Sequence, residues 1–123
     1  MNIVSIDWLE KNLENSEVII LDCSWHLPNT NRSGTQEFLK ERIPSAIFFD
    51  IDEICDKKSP YPHMITDENY FSQKVSELGI LNNHHIITYD TLGVFSSARV
   101  YWMFKQFSHK KISILNGGLK YWK

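Results

Sequence analysis

The residues best placed for chemistry lie in one strand–loop–helix stretch. Ile86-Ile87-Thr88-Tyr89 forms a short apolar run, Asp90-Thr91-Leu92-Gly93-Val94-Phe95 turns, and Ser96 or Ser97 is placed to cap a helix over residues 98–107. In an open parallel sheet such a loop lies outside the carboxyl ends of the strands, where ligands bind. The first amides of the helix suit an anion there, and they would equally favour a thiolate nucleophile. The loop contains no cysteine. Asp90 stands where the strand ends, and its carboxylate reads as an acceptor for loop amides rather than as a reacting group.

Other candidates are scattered. Cys23 follows an apolar run, a good place for a reactive thiol, but a small buried residue is the simpler reading. Cys55 and His63 lie in a long excursion, Asp50 to Ile65, that contains Pro60 and Pro62. An imidazole there can exchange a proton near neutral pH, or simply face water. Asp52, alone, reads as a turn-capping carboxylate. Trp25 and His26 are expected either to line an interface with a second domain or to be satellite core residues. Arg99 reads as a structural ion-pair partner.

The elements that must position these residues follow from pattern. Ser5 caps a helix with Ile6, Leu9 and Leu13 on one face and Trp8 at its edge. Val18-Ile19-Ile20-Leu21 is a continuous apolar run, the mark of a strand buried on both faces. Residues 28–34 read as a loop, and 35–42 as a short helix with Phe38 and Leu39 inward. Ile47-Phe48-Phe49 reads as a strand. Thr66 is expected to cap a helix whose buried face is Phe71, Val75 and Leu78, with Gly79 at its end. Tyr101, Trp102, Phe104 and Phe107 read as core. Ile112 to Leu115 is a last strand, and a helix starts at Leu119. Strands alternating with helices predict one α/β domain over residues 1–123 with a mainly parallel sheet.

Composition narrows the class. The 123 residues are 42% hydrophobic with a net charge of −2, enough for a core and without the basic footprint of a nucleic-acid binder. The start shows no secretory signal, and no run is long enough to span a bilayer. Two cysteines give neither a disulfide framework nor metal-site spacing. A cytoplasmic setting is expected, and the frequency of Ile, Asn and Lys suits an AT-rich bacterial genome.

Five motifs taken together resemble one family. They are Leu21-Asp22-Cys23-Ser24-Trp25; Arg42-Ile43-Pro44-Ser45-Ala46 with Phe48-Phe49-Asp50-Ile51-Asp52; Ser59-Pro60-Tyr61-Pro62-His63-Met64; Phe95 to Phe104; and Ile114-Leu115-Asn116-Gly117-Gly118-Leu119. In order and spacing they are similar to the N-terminal half of the tandem-domain rhodanese and 3-mercaptopyruvate sulfurtransferases. Ser97 and Ala98 depart from the family's usual Ala and Pro, and Cys23 replaces a common Ala.

The resemblance implies a rhodanese-like α/β fold, a central sheet flanked by helices. It implies transfer of sulfane sulfur from 3-mercaptopyruvate or thiosulfate to a thiol or cyanide, through a cysteine carried by the C-terminal half. A nucleophile-free loop from Asp90 to Phe95 is what an N-terminal half should have. His63, with Asp52 eleven positions earlier, matches the mercaptopyruvate branch. There the pair is expected to relay a proton together with a Ser of the other half's active loop. Trp25 and His26 would lie near the interdomain cleft or the substrate. No metal or organic cofactor is implied, and neither nucleic acid nor membrane is an expected partner. The expected partner is a second, catalytic rhodanese-like domain, supplied in trans or lost, and the expected ligand is a small sulfur donor. On this reading the chain alone is inactive. Two other readings stay open: a catalytically silent binding module using the Asp90–Phe95 loop, and an inactive remnant of a split gene.

Overall fold

A computed structural model describes residues 2–26, 31–51, 53–54, 67–91 and 96–122, with Tyr121 described for its backbone only. The order is β1 (Ile3–Val4), α1 (Ile6–Asn12), β2 (Val18–Asp22), α2 (Gly34–Lys40), β3 (Ile47–Phe48), α3 (Glu68–Glu77), β4 (His85–Tyr89), α4 (Ser96–Gln106), β5 (Ile112–Leu115) and α5 (Gly118–Trp122). The strands form a five-stranded sheet in the order β1-β5-β4-β2-β3, every pairing parallel. The α/β expectation therefore holds, with a fully parallel sheet.

The continuous apolar runs bury both faces, and the period of two sorts them. Leu21, Ile86, Ile112 and Ile114 meet Phe71, Val100, Met103 and Phe104 of α3 and α4. Ile20, Ile87, Tyr89 and Leu115 face the other way, onto Leu9 of α1 and Leu119 of α5. Phe38 of α2 packs on that second side.

Several local expectations are corrected. Leu39 is 69% exposed; only Phe38 of that pair packs inward, and Arg42 lies 4.9 Å over its ring. Trp102 is 53% exposed, because it sits on α4 between the inward-facing Tyr101 and Met103. Asp67, not Thr66, caps α3, its carboxylate accepting the Tyr70 amide at 2.8 Å. The helix starts one residue later than the hydroxyl suggested. Gly79 follows α3 at φ +85°, a conformation that favours glycine, as expected of the helix end. The strand Ile3–Val4 was not among the expected elements; it pairs with Ile114 and Leu115 at the sheet edge. Arg99 is exposed and makes no ion pair with a described residue.

At the amino end of the sheet, His85 packs edge-on against Trp8 with ring centroids 5.3 Å apart, and its Nε2 meets Ser113 Oγ at 2.9 Å. Burial, then the charges of Lys111 and His109, hold its pKa below the ordinary value of 6.5. The folded state thus binds fewer protons at His85 than the unfolded chain. Its contribution is fully present above about pH 6.5 and is lost as pH falls through the depressed folded value. Urea midpoints should drop between pH 7.5 and 5.5, and His85→Gln should flatten that slope. A variant as steep as wild type would assign the acid sensitivity to other groups.

Candidate functional site

The chain leaves β2 toward β3 on one side, and β4 returns to β2's other side. The carboxyl ends of β2 and β4 therefore flank a topological switch point, the crevice where open α/β sheets bind ligands. Asp22-Cys23-Ser24 ends one strand and Tyr89-Asp90-Thr91 the other.

The two ends are stitched together. The Cys23 amide donates to the Tyr89 carbonyl at 2.8 Å, and the Thr91 amide donates to Ser24 Oγ at 3.2 Å. The Ser24 amide donates to Asp22 Oδ1 at 3.0 Å. The Tyr89 hydroxyl accepts the Ile43 amide at 3.3 Å. Burial raises the Asp22 pKa above 3.8, partly countered by its bonds to Ser24 and by Tyr89, with the charge of Asp90 adding to the rise. Burial, then the charge of Asp22, pushes the Tyr89 phenol far up, so it stays neutral.

Asp90 is 1% exposed, and its Oδ2 accepts the Ser97 amide at 2.7 Å. The carboxylate thus takes an amide of the first turn of α4, where an external anion or a thiolate would otherwise gain. This bears out the expectation that Asp90 bonds amides, and it corrects the cap. Ser96 and Ser97 lie inside α4, and their buried hydroxyls have no hydrogen-bond partner among the described residues. The Asp90 carbonyl also accepts the Leu119 amide at 3.1 Å, tying the start of α5 to the strand end.

Cys23 is fully buried, its thiol 3.5 Å from the Leu21 carbonyl. Burial, then the charges of Asp22 and Asp90, raises its pKa well above 9.0. A thiol so placed is inert toward thiolate chemistry.

Trp25 is half-buried against the α3–α4 side of the core. The His26 side chain is 2% exposed, with Nε2 3.0 Å from Glu37 Oε1. Arg32 binds both oxygens of Glu37, Nε to Oε2 at 2.9 Å and Nη2 to Oε1 at 3.0 Å. This pairing holds the Glu37 pKa below 4.5. The network fastens the segment after β2 to α2. Gly34 completes the joint: a Cβ there would meet the Ser24 carbonyl oxygen at 2.4 Å. Nothing in the periodicity announces this contact, because its members are joined across a loop.

Thr91 is half-buried beside Asp90, while Leu92, Gly93, Val94 and Phe95 lie outside the described residues, as do Asp52, Cys55 and His63. Among the described residues no group of three or more His, Cys, Asp or Glu could hold a metal ion. Nor is any helix among them long and apolar enough to cross a membrane.

A parallel sheet with this order, its switch point at the carboxyl ends of β2 and β4, defines the class. Residues 5–123 match the rhodanese-like domain family, and the chain belongs to it. Within the family it matches one half of the tandem-domain thiosulfate/3-mercaptopyruvate sulfurtransferases. It is 46% identical over 121 residues to the mitochondrial thiosulfate/3-mercaptopyruvate sulfurtransferase 1 of Arabidopsis thaliana, covering 98% of this chain and 32% of that protein. It is 38% identical over 126 residues to the human 3-mercaptopyruvate sulfurtransferase, covering 98% and 42%. The crystal structure of the Escherichia coli 3-mercaptopyruvate sulfotransferase SseA superposes with a TM-score of 0.91 at 39% identity, covering 98% of this chain and 46% of that one. The chain thus spans a third to just under half of these relatives.

Proposed function

We propose that the chain is the N-terminal, non-nucleophilic half of a sulfurtransferase of the 3-mercaptopyruvate type. The observation that carries this reading is Asp90: a buried carboxylate bonded to the Ser97 amide stands where the site loop would need a thiolate. Cys23, the free cysteine among the described residues, is buried with its pKa raised. The nucleophile then comes from a second rhodanese-like domain. Its thiolate attacks the sulfur of 3-mercaptopyruvate, the carbon–sulfur bond breaks, and the cysteine is left as a persulfide. The pyruvate enolate departs and takes up a proton, and the outer sulfur then passes to a thiol or cyanide acceptor. Thiosulfate serves as an alternative donor, leaving as sulfite. Asp52 and His63 are this chain's contribution: the carboxylate orients the imidazole, which relays the proton to the enolate. Trp25 and the residues beside it would face the second domain. The silent-module reading is disfavoured, because the Ser97 amide that would meet an external anion is already held by Asp90. A cytoplasmic location belongs to the same proposal.

Incubated alone with 3-mercaptopyruvate and a thiol, the purified chain should release neither pyruvate nor sulfide above the uncatalysed rate. Turnover abolished by Cys23→Ser would overturn the assignment of the nucleophile to another domain.

A further inference from the structure

Beside the stitched strand ends lies a cleft of about 390 Å³, within the range of small-molecule sites. Glu37, Lys40 and Glu41 form one wall, Leu119 and Lys120 the other, with Thr91 at the carboxyl end of β4 and Arg32 at the rim. It therefore lies at the switch point, and Asp90, which holds the Ser97 amide, is not among its lining residues.

Its charges are unevenly committed. Glu37 is saturated by Arg32 and His26. Arg32 spends Nε and Nη2 on that pair, which leaves Nη1 uncommitted. Lys40 and Lys120 make no ion pair with a described residue. With Glu41 counted, three cations and two acids line the cleft. Cationic residues lining a concave surface raise the local concentration of anions. The excess is small, which suits a compact, low-charge ligand rather than a polyanion.

We propose that the cleft between α2 and α5, at the carboxyl ends of β2 and β4, binds a compact oxyanion through Lys40 and Lys120, with Arg32 as a further donor. Thiosulfate, sulfite and inorganic phosphate share the required chemistry: tetrahedral or pyramidal, small, and singly or doubly anionic near neutral pH. The inference stands apart from the sulfurtransferase reading, since it needs no second domain and no turnover.

The test is amide chemical-shift mapping of the full chain, titrated separately with sodium thiosulfate and sodium phosphate at constant ionic strength, with sodium chloride as the control. Saturable shifts should centre on Lys40, Glu41, Thr91, Leu119 and Lys120. The double variant K40Q/K120Q, both positions being exposed, should keep the wild-type spectrum and weaken binding at least tenfold. Saturation by thiosulfate but not phosphate would tie the cleft to sulfur oxyanions; saturation by both would mark a general oxyanion site. Either supports the proposal. Shifts that rise linearly and match chloride overturn it, and so does saturable binding that the double variant leaves unchanged.

Discussion

Replacing His63 with alanine in a complete two-domain enzyme built on this chain should slow 3-mercaptopyruvate turnover by about 100- to 10,000-fold, the usual span for a general acid–base group. The reason lies in the leaving group. A pyruvate enolate must gain a proton as the carbon–sulfur bond breaks, whereas sulfite departs from thiosulfate as a stable anion. The thiosulfate reaction should therefore fall far less. Asp52→Asn should act in the same direction more weakly, because in the proposed relay that carboxylate would only orient the imidazole and stabilise its charge. The measurement is kcat/KM for both donors with wild type and both variants at one pH. Equal losses on the two donors would mean that His63 binds substrate or packs the cleft, and the relay would be abandoned.

Two neighbours on α4 should differ as sharply in stability. Phe104 is 1% exposed, its ring centroid 6.0 Å from Phe49, 5.1 Å from Phe71 and 5.4 Å from His109. Phe104→Ala removes that packing and opens a cavity where α3 and α4 meet the sheet, at a cost of about 3–5 kcal/mol. Trp102, two residues earlier, is 53% exposed and touches the Tyr101 ring at 5.2 Å. Trp102→Ala should cost about 0.5 kcal/mol or less, as for an ordinary surface substitution. Urea denaturation at pH 7.5 reads both. Comparable losses would place Trp102 in a packed environment and contradict the orientation of α4.

The pair also shows where pattern stops. A run such as Tyr101-Trp102-Met103-Phe104 announces a buried helix by its apolar content. Whether the 102 position lies inside or outside depends on the rotation of α4 about its axis, which β4, β5 and α3 set by packing. Leu39 beside Phe38 repeats the lesson: adjacent residues on a helix point about 100° apart, so on a helix with a narrow buried face one of the two is left outside.

What the sequence determined alone is the alternation of strands and helices, since the continuous apolar run at Val18–Leu21 requires burial on both faces and so a parallel sheet with helices on each side. It also determined that the site loop lacks a thiol, a fact of composition at Asp90–Phe95 that no folding can alter. Only the tertiary structure decided how the strand ends are joined. The Asp90 carboxylate on the Ser97 amide, His26 on Glu37, the Thr91 amide on Ser24 and β1 on β5 all join residues brought together by strand order and helix docking. Periodicity reports which residues share a face. It carries no information on which face meets which, and the two-residue strand at Ile3–Val4 is too short to have a period at all.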